Sequence, residues 1–312
     1  MLTVLFSTFN GAASLPRLLD ALEQQTSPPG GWKVVAVDNG STDGGGDLLR
    51  ARAARLPLTV LTEPRRGKSR GLNAGLAAVE GDLVVFTDDD VTPPADWLVA
   101  LRRLAGRQPD YDIFGGAIQP IWPYPPPDWI LRCAPQDYFA WTHFEEGPTA
   151  PTAVWGPNMA VRRRVLEGRR FFEGIGPDGG PKYAVGAETE LLMRAAAAGH
   201  RCWHAPDIVV GHLVEPHQLT PAWLLQRAHN HGRGVRRLFG TDEPVGAPRL
   251  FGLPRQLLAD YAGALAATAR SSLAGGFEER FIARHRLSVI EGDLAERLSQ
   301  RRRRGRTAGP AS

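Results

Sequence analysis

Two patterns of apolar positions alternate over the first hundred residues. Short apolar runs at 3–7, 32–37, 58–61 and 82–87 have the length and β-branched content of buried strands. Between the first two runs, leucines at 15, 18, 19 and 22 recur at helical spacing, with Ser14 as the predicted N-cap and Pro16 in the first turn. Strands that alternate with helices in this way predict a parallel sheet.

The pattern changes farther along the chain. Helices are predicted at 72–79, closed by Gly81, at 95–105 and at 189–198, and strands at 158–161 and 208–210. The segment 111–157 is rich in proline and tryptophan and is predicted to be dominated by loops. Beyond Thr220, which with Pro221 forms a predicted helix cap, the pattern is helical to about residue 300.

These elements predict an α/β fold, with a mostly parallel sheet flanked by helices and a helical C-terminal extension. We expect a first domain at 1–230, the helical extension at 231–300 and a basic, disordered tail at 301–312. Without the arginines of that tail, acidic side chains would slightly outnumber basic ones, although the whole chain has 37 basic and 33 acidic residues.

Composition favours a cytoplasmic globular protein. The chain has 312 residues and is 43% hydrophobic, which is enough for a full core. Its two distant cysteines, Cys133 and Cys202, form no disulfide framework and fit a reducing compartment. No leader peptide and no apolar stretch of about 18 residues is visible. We expect no nucleic-acid partner.

Asp88, Asp89 and Asp90 follow the apolar run at 82–87, where ligands bind in open α/β sheets. Because side chains alternate along extended backbone, Asp88 and Asp90 should point one way and Asp89 the other. The first and third carboxylates would then form a clamp for a hard divalent cation that also holds phosphate oxygens. A solvated acidic turn is the alternative. Alanine at Asp89 should cost less activity than alanine at either flank.

Several further motifs stand at the ends of predicted elements. They are Ser-Thr-Phe-Asn (7–10), Val-Asp-Asn-Gly-Ser-Thr-Asp (37–43), Gly-Lys-Ser-Arg-Gly-Leu-Asn-Ala-Gly (67–75), Asp-Asp-Asp (88–90), Gly-Pro-Asn-Met (156–159) and Gly-Ala-Glu-Thr-Glu-Leu (186–191). In this order they resemble the family 2 inverting glycosyltransferases of the GT-A fold, a Rossmann-like fold of nucleotide-diphospho-sugar transferases. The resemblance covers most of residues 1–230. It implies sugar transfer from a nucleoside-diphosphate sugar to an acceptor hydroxyl, as in bacterial surface-polysaccharide assembly.

The donor nucleotide is expected at the ends of the first two strands. The Asp38 carboxylate can accept from the N3 hydrogen of uracil or thymine, the only edge donor of these bases. The resemblance implies this contact, with Thr8 and Asn10 lining the same pocket; an aspartate that bonds its own turn is the alternative. Lys68 would supply positive charge near the diphosphate. UDP and dTDP donors are favoured, and GDP stays open.

The resemblance also implies different roles for the aspartates of the motif at 88–90. Asp88 would bond the ribose, and Asp90 would hold Mn²⁺ or Mg²⁺ that bridges the diphosphate oxygens. His212 follows the strand at 208–210, where similar enzymes have a histidine near the metal.

Inverting transfer requires a base that takes the proton of the acceptor hydroxyl. Glu188 is the candidate. The family usually has Glu-Asp where this chain has Ala187 and Glu188, which leaves open whether Glu188 or Glu190 is nearest the acceptor. A helix-starting carboxylate without a catalytic task is the alternative. Trp155, Asn158 and Glu190 are expected to contact the acceptor or its sugar.

The acceptor would be a saccharide or a lipid-linked saccharide. The C-terminal helices and the arginine tail are compatible with a peripheral contact with the inner membrane face or with a homodimer, and a solvated tail without a partner is the alternative.

Two other functions fit parts of the sequence. The pattern Asp88-x-Asp90-x-Thr92 satisfies the nucleophile signature of haloacid-dehalogenase-like phosphatases, but that motif ordinarily ends the first strand, and three strands precede it here. A nucleotidyltransferase would need a Gly-rich basic loop after the first strand, which 10–14 does not provide. A catalytically silent nucleotide-sugar-binding protein stays open because of Ala187.

Overall fold

The computed structural model describes residues 1–240 and 248–307, the last six of these as backbone only. The chain divides into two compact units. Unit 1 consists of Met1–Tyr124, Phe139–Gly179 and Ala187–Val214, and unit 2 consists of Pro125–Tyr138, Gly180–Gly186 and the described residues after Val214.

The strands and helices are numbered in chain order. The strands are β1 (Leu2–Thr8), β2 (Trp32–Asp38), β3 (Leu58–Thr62), β4 (Leu83–Phe86), β5 (Val91–Thr92), β6 (Ile113–Ile121), β7 (Gly147–Thr149), β8 (Met159–Arg162), β9 (Cys202–Leu213), β10 (Arg249–Leu250) and β11 (Leu253–Pro254). The helices are α1 (Leu15–Glu23), α2 (Gly45–Arg52), α3 (Lys68–Leu76), α4 (Trp97–Arg107), α5 (Asp128–Cys133), α6 (Arg163–Leu166), α7 (Ala187–Ala197), α8 (Pro221–Phe239), α9 (Arg255–Ala274) and α10 (Phe277–Thr307).

Unit 1 is built on a sheet of nine strands in the order β3-β2-β1-β4-β8-β6-β9-β5, with β7 also paired to β9. Strands β1 to β4 are mutually parallel where they pair, and so are β6 and β9. Strand β8 runs antiparallel between β4 and β6. The predicted α/β fold, with a mostly parallel sheet flanked by helices and a helical C-terminal region, is confirmed.

The core of unit 1 explains why the first strands are nearly continuous apolar runs. Leu5 and Phe6 of β1 are fully buried although they point to opposite faces, because helices cover both sides of a parallel sheet. Helix α1 buries its four leucines in this core. Ser14 stands at the N-cap position, but its hydroxyl donates to the Gly11 carbonyl at 3.2 Å and makes no cap bond to the helix. The predicted N-cap position of Ser14 is confirmed, although its side chain does not bond to the helix.

The segment 111–157 differs most from its prediction. It contains β6, a nine-residue strand in the middle of the sheet, and is not dominated by loops. A side chain on Gly116 would collide with the amide of Asn158 and would lie 2.5 Å from the Ile208 carbonyl. The glycines that suggested a loop are present because neighbouring groups approach the backbone closely.

The bounds of several other elements differ from the prediction. Helix α2 was not predicted, and α3 starts four residues earlier than expected, at Lys68.

The expected domain boundary at residue 230 lies inside α8, which is a continuous helix. The last residue of unit 1 is Val214. Helix α10 continues to Thr307 where a disordered tail from 301 was expected, and residues 308–312 lie outside the described residues. The Thr220 cap is confirmed, since its hydroxyl accepts from the Trp223 amide at 3.3 Å.

The strand registers bring the polar motifs to one edge of the sheet. Thr8 at the end of β1 pairs with Asp38 at the end of β2, and β4 ends beside β1 just before the three aspartates. Among the residues that the structure describes, no helix combines the length and apolar composition needed to cross a bilayer.

Candidate active site

Lys68 lies at the centre of the predicted site. It is the first residue of α3, and its backbone amide donates to the Pro177 carbonyl at 2.8 Å. Its ammonium lies 2.7 Å from Asp88 Oδ1 and 2.8 Å from Glu188 Oε1. Burial alone would lower the pKa of Lys68, but the charges of the two carboxylates hold it above its ordinary value. A permanent cation therefore connects the aspartate motif with the candidate base.

Three side chains beside this lysine could hold a metal ion. Asp88, Asp90 and His212 each offer a ligand atom, and these atoms lie within 4.8 Å of one another. Asp90 Oδ1 is buried without a hydrogen-bond partner among the described residues and lies 3.5 Å from His212 Nε2. Burial raises the pKa of Asp90, Asp88 adds to this, and His212 opposes it. Two carboxylates and an imidazole fit Mn²⁺ well and Mg²⁺ less well, since Mg²⁺ prefers oxygen.

Asp89 points away from this group, as the alternation of side chains predicted. It accepts a hydrogen bond from the Thr8 hydroxyl, and a side chain on Gly11 would collide with its carboxylate. Burial, followed by the charge of Asp90, raises the pKa of Asp89 to about 7. Sequence reasoning missed this contact, and the glycine at position 11 was the available signal. Asp89 fixes the loop after β1.

The loops after β1 and β2 are tied together. The Asn10 side chain accepts from the Thr42 amide at 2.9 Å, and its backbone amide donates to the Ser41 hydroxyl at 3.0 Å. Asp38 is 7% exposed, and its Oδ1 accepts from the Ser41 amide at 2.9 Å. The turn contact considered as an alternative for Asp38 is thus present on one oxygen. Among the described residues, Oδ2 accepts no hydrogen bond from the turn, and it lies close to the backbone of Gly46.

Glu188 and Glu190 lie on different sides of α7. Residues two apart on a helix point about 200° apart, and only Glu188 reaches Lys68. A side chain on Gly156 would come 2.6 Å from Glu188 Oε1, so the Gly-Pro-Asn-Met motif makes room for this carboxylate. Glu190 instead pairs with Arg194 at 2.7 Å and lines a separate cavity of about 840 Å³ with Asn73 and other residues.

Asn158 was predicted to contact the acceptor, and this prediction is wrong. The side chain is fully buried. It donates to the carbonyls of Ala117 and Ile208 at 2.8 Å each and accepts from the Trp97 indole at 2.9 Å. These bonds connect the sheet with α4, so Asn158 has a structural task.

Trp155 is half-buried and lies three residues before Asn158 in the chain. Its indole donates to the Thr152 carbonyl at 2.8 Å, and its ring meets that of Phe144 edge to face at 5.6 Å. Since part of the ring stays accessible, its predicted contact with the acceptor stays a prediction.

Comparisons of sequence with known proteins point to one family. The family model described as Glycosyl transferase family 2 matches residues 3–168. Glycosyltransferase AglE of Haloferax volcanii is 24% identical over 263 residues, which cover 83% of this chain and 80% of AglE.

Comparisons of structure show the same fold in proteins of low identity. The mannosyltransferase PcManGT from Pyrobaculum calidifontis, determined in complex with GDP-Man and Mn2+, superposes with a TM-score of 0.62 at 24% identity, over 96% of this chain and 87% of that one. S. aureus TarS 1–349 in complex with UDP-GlcNAc superposes with a TM-score of 0.54 at 16% identity, over 96% and 91%.

Proposed function

The chain belongs to glycosyl transferase family 2, and we propose that it transfers a sugar with inversion from a nucleoside-diphosphate donor to an acceptor hydroxyl. It is a glycosyltransferase; the mechanism and the roles of individual residues are the proposed part. One observation supports them above all: Asp88, a member of the candidate metal group, and the candidate base Glu188 both pair with Lys68 at the ligand-binding edge of the sheet.

The donor would lie across the ends of β1, β2 and β4. Asp38, with one carboxylate oxygen outside its own turn, would accept from the base, and the loop of Thr8 and Asn10 would line the base pocket. UDP and dTDP fit this contact. GDP stays open, since guanine also has an edge N–H, and the structural relatives include complexes with GDP-Man and with UDP-GlcNAc.

A divalent ion, Mn²⁺ or Mg²⁺, would be held by Asp90 and His212, with Asp88 at the ribose. Such an ion would neutralise the charge that develops on the departing diphosphate. The buried Oδ1 atom of Asp90 supports this assignment, because a buried carboxylate oxygen that accepts no hydrogen bond is costly until a cation or a proton binds it. Lys68 lies close enough to the ribose contact Asp88 to add positive charge near the diphosphate.

Glu188 would act as general base. As the acceptor oxygen forms its bond to the anomeric carbon, the bond from that carbon to the diphosphate oxygen breaks, and the hydroxyl proton passes to the Glu188 carboxylate. Attack from the side opposite the diphosphate inverts the anomeric centre. The position of Glu188 beside Lys68 and the aspartate motif supports it as the better candidate, since Glu190 lies on another side of α7 with Arg194.

For the acceptor and the cellular setting, the support comes from the sequence and the family resemblance only. We propose a saccharide or lipid-linked acceptor in polysaccharide or glycoconjugate assembly, reached from the cytoplasmic side, with a peripheral membrane contact or a homodimer as further expectations. The phosphatase alternative is set aside, because the family match extends across the aspartate motif.

The replacement Glu188→Gln tests the base. We expect sugar transfer to fall by about 10²-fold to 10⁴-fold with the donor dissociation constant nearly unchanged, because the amide keeps the shape but cannot take a proton. Glu190→Gln, on the other side of the same helix, is the matched control and should keep most of the activity. Unchanged transfer by Glu188→Gln would refute the assignment, and a wild-type protein that binds donors but transfers nothing would favour the silent binder.

A further inference from the structure

Exposed apolar side chains are concentrated in one part of unit 2. Among the described residues, nine of the fourteen large hydrophobic side chains with high exposure fall between residues 235 and 298, about a fifth of the chain. Scattered exposed apolar residues need no explanation, whereas adjacent ones form a patch that can mark an interaction surface, and Leu250 and Phe251 are adjacent.

The most exposed member stands at the tip of the hairpin β10–β11. Phe251 is 86% exposed and its neighbour Leu250 is 50% exposed. Phe251 and Gly252 form the two-residue turn, with φ of 50° and 73°. Turns of this kind favour Asn or Asp at the first position, because few side chains tolerate positive φ. An aromatic residue there is unfavourable both for the backbone and for contact with water, and packing among the described residues does not account for it.

Positive charge surrounds this tip. Arg249 and Arg255 flank the hairpin, and no acidic residue occurs from 248 to 259. The Arg301 guanidinium of α10 donates to the carbonyls of Phe251, at 3.4 Å, and of Gly252. In sequence, Arg301 begins the run of arginines at 301–304. The first arginine of this run is therefore in contact with the tip of the hairpin.

Helix α9 continues the apolar character directly after the hairpin. Of its twenty residues only Ala264 is buried, and only Arg255, Asp260 and Arg270 are charged. Leu265 is 43% exposed and Leu273 is 90% exposed. Most of α9 is therefore only partly covered by the described residues.

We propose that Leu250 and Phe251 enter the interfacial region of an anionic lipid bilayer, with Arg249, Arg255 and Arg301 at the headgroup phosphates. An apolar wedge and a basic cluster are the two signals that together give stable peripheral binding. The charges argue against a second copy of the chain as the occupant, since a symmetric pair of hairpins would bring the arginines of both copies together.

The test is cosedimentation of the full chain with phosphatidylcholine vesicles, and with vesicles that also contain phosphatidylglycerol. We expect binding to the second kind that weakens as salt is added, because headgroup attraction is screened. The double replacement Leu250→Ser with Phe251→Ser should lower the partition coefficient by about tenfold or more, since burial of one such side chain is worth about that factor. Arg255→Gln should weaken binding and reduce its dependence on salt.

Phe172→Ser is the matched control, because Phe172 is a 51% exposed aromatic residue of unit 1. It should bind vesicles like the wild type. Absence of wild-type binding to the anionic vesicles would overturn the inference, as would equal binding by the double variant. Self-association that the double variant loses, without vesicle binding by the wild type, would instead assign the tip to pairing of two copies. No sugar donor is present in this assay, so its outcome is independent of the proposed transfer.

Discussion

Lys68 forms ion pairs with two carboxylates that have different tasks in the proposed mechanism. Asp88 is expected at the donor ribose and Glu188 at the acceptor hydroxyl, and one ammonium lies within 2.8 Å of an oxygen from each. The sequence assigns Lys68 to the diphosphate only. From its position we expect a second task, which is to set the distance between the donor side and the acceptor side of the reaction.

Replacement of Lys68 by methionine should separate these tasks. Loss of the ammonium lets the two carboxylates move apart, so we expect kcat to fall by about 10²-fold while the donor dissociation constant changes less. Lys68→Arg should recover part of kcat. Lys33→Met is the control, because Lys33 pairs with Glu80 near the start of β2, away from the strand ends that carry the site. If the donor dissociation constant rises by as much as kcat falls, Lys68 serves the diphosphate alone.

His204 is a second buried residue whose effect can be measured. Its side chain is fully buried in β9, neither ring nitrogen has a hydrogen-bond partner among the described residues, and the Phe144 ring lies 5.4 Å away. Burial lowers the pKa of His204 from its ordinary value of 6.5. The unfolded chain therefore binds this proton more readily than the folded one, and stability present above pH 6.5 is lost as the pH falls below it.

The variant His204→Phe should lose less stability on acidification than the wild type. We expect a shallower fall in the free energy of unfolding between about pH 7 and about pH 5, measured by urea unfolding at several pH values. A difference in the free energy of unfolding that is the same at every pH would reflect packing only. Equal slopes in wild type and variant would show that His204 does not contribute to acid sensitivity.

At the scale of elements, α8 and α10 touch backbone to backbone at two glycines. A side chain on Gly232 would collide with the Val289 carbonyl, and one on Gly292 would collide with the His229 carbonyl. The contact is reinforced by Glu296, which is fully buried and pairs with Arg233 at 3.1 Å and with Arg237. Close backbone approach and a buried ion cluster make this helix pair the centre of unit 2.

Alanine at Gly232 should destabilise unit 2 by about 1–3 kcal/mol, because the helices must separate to admit the methyl group. The control is Gly263→Ala in α9, where the added atom would meet nothing within 4 Å. That replacement should stabilise by about 0.5–1 kcal/mol through helix propensity. Thermal unfolding followed by circular dichroism compares the two variants. Equal effects at both positions would contradict the close crossing of α8 and α10.

Elements that follow strong periodicity were predictable, and those that depend on neighbours were not. The leucines of α1 and the apolar run of β4 carry their own signal. Strand β6 was hidden because its glycines and Pro120 suggest a loop, whereas Gly116 is needed for the close approach of Asn158 and the Ile208 carbonyl. The burial of Asn158 could not be predicted either, since it depends on which strands are neighbours in the sheet.

At the scale of the whole molecule, motif order proved more informative than any single motif. Positions from 8 to 212 come together because parallel strands end at one edge of the sheet, and the convergence of Asp88, Asp90 and His212 followed from this rule. The nature of the acceptor has no such rule. It depends on side chains from irregular segments such as that of Trp155, whose positions are set by tertiary packing and not by local pattern.

Metal-dependent nucleotide binding tests the central claim most directly. UDP and GDP would be titrated calorimetrically into the full chain with and without Mn²⁺, and into the variants Asp90→Ala and Asp89→Asn. We predict that at least one nucleotide binds in the presence of Mn²⁺ and much more weakly without it, that Asp90→Ala abolishes the difference, and that Asp89→Asn keeps it. Absence of binding, or binding of equal strength with and without Mn²⁺, would contradict the account.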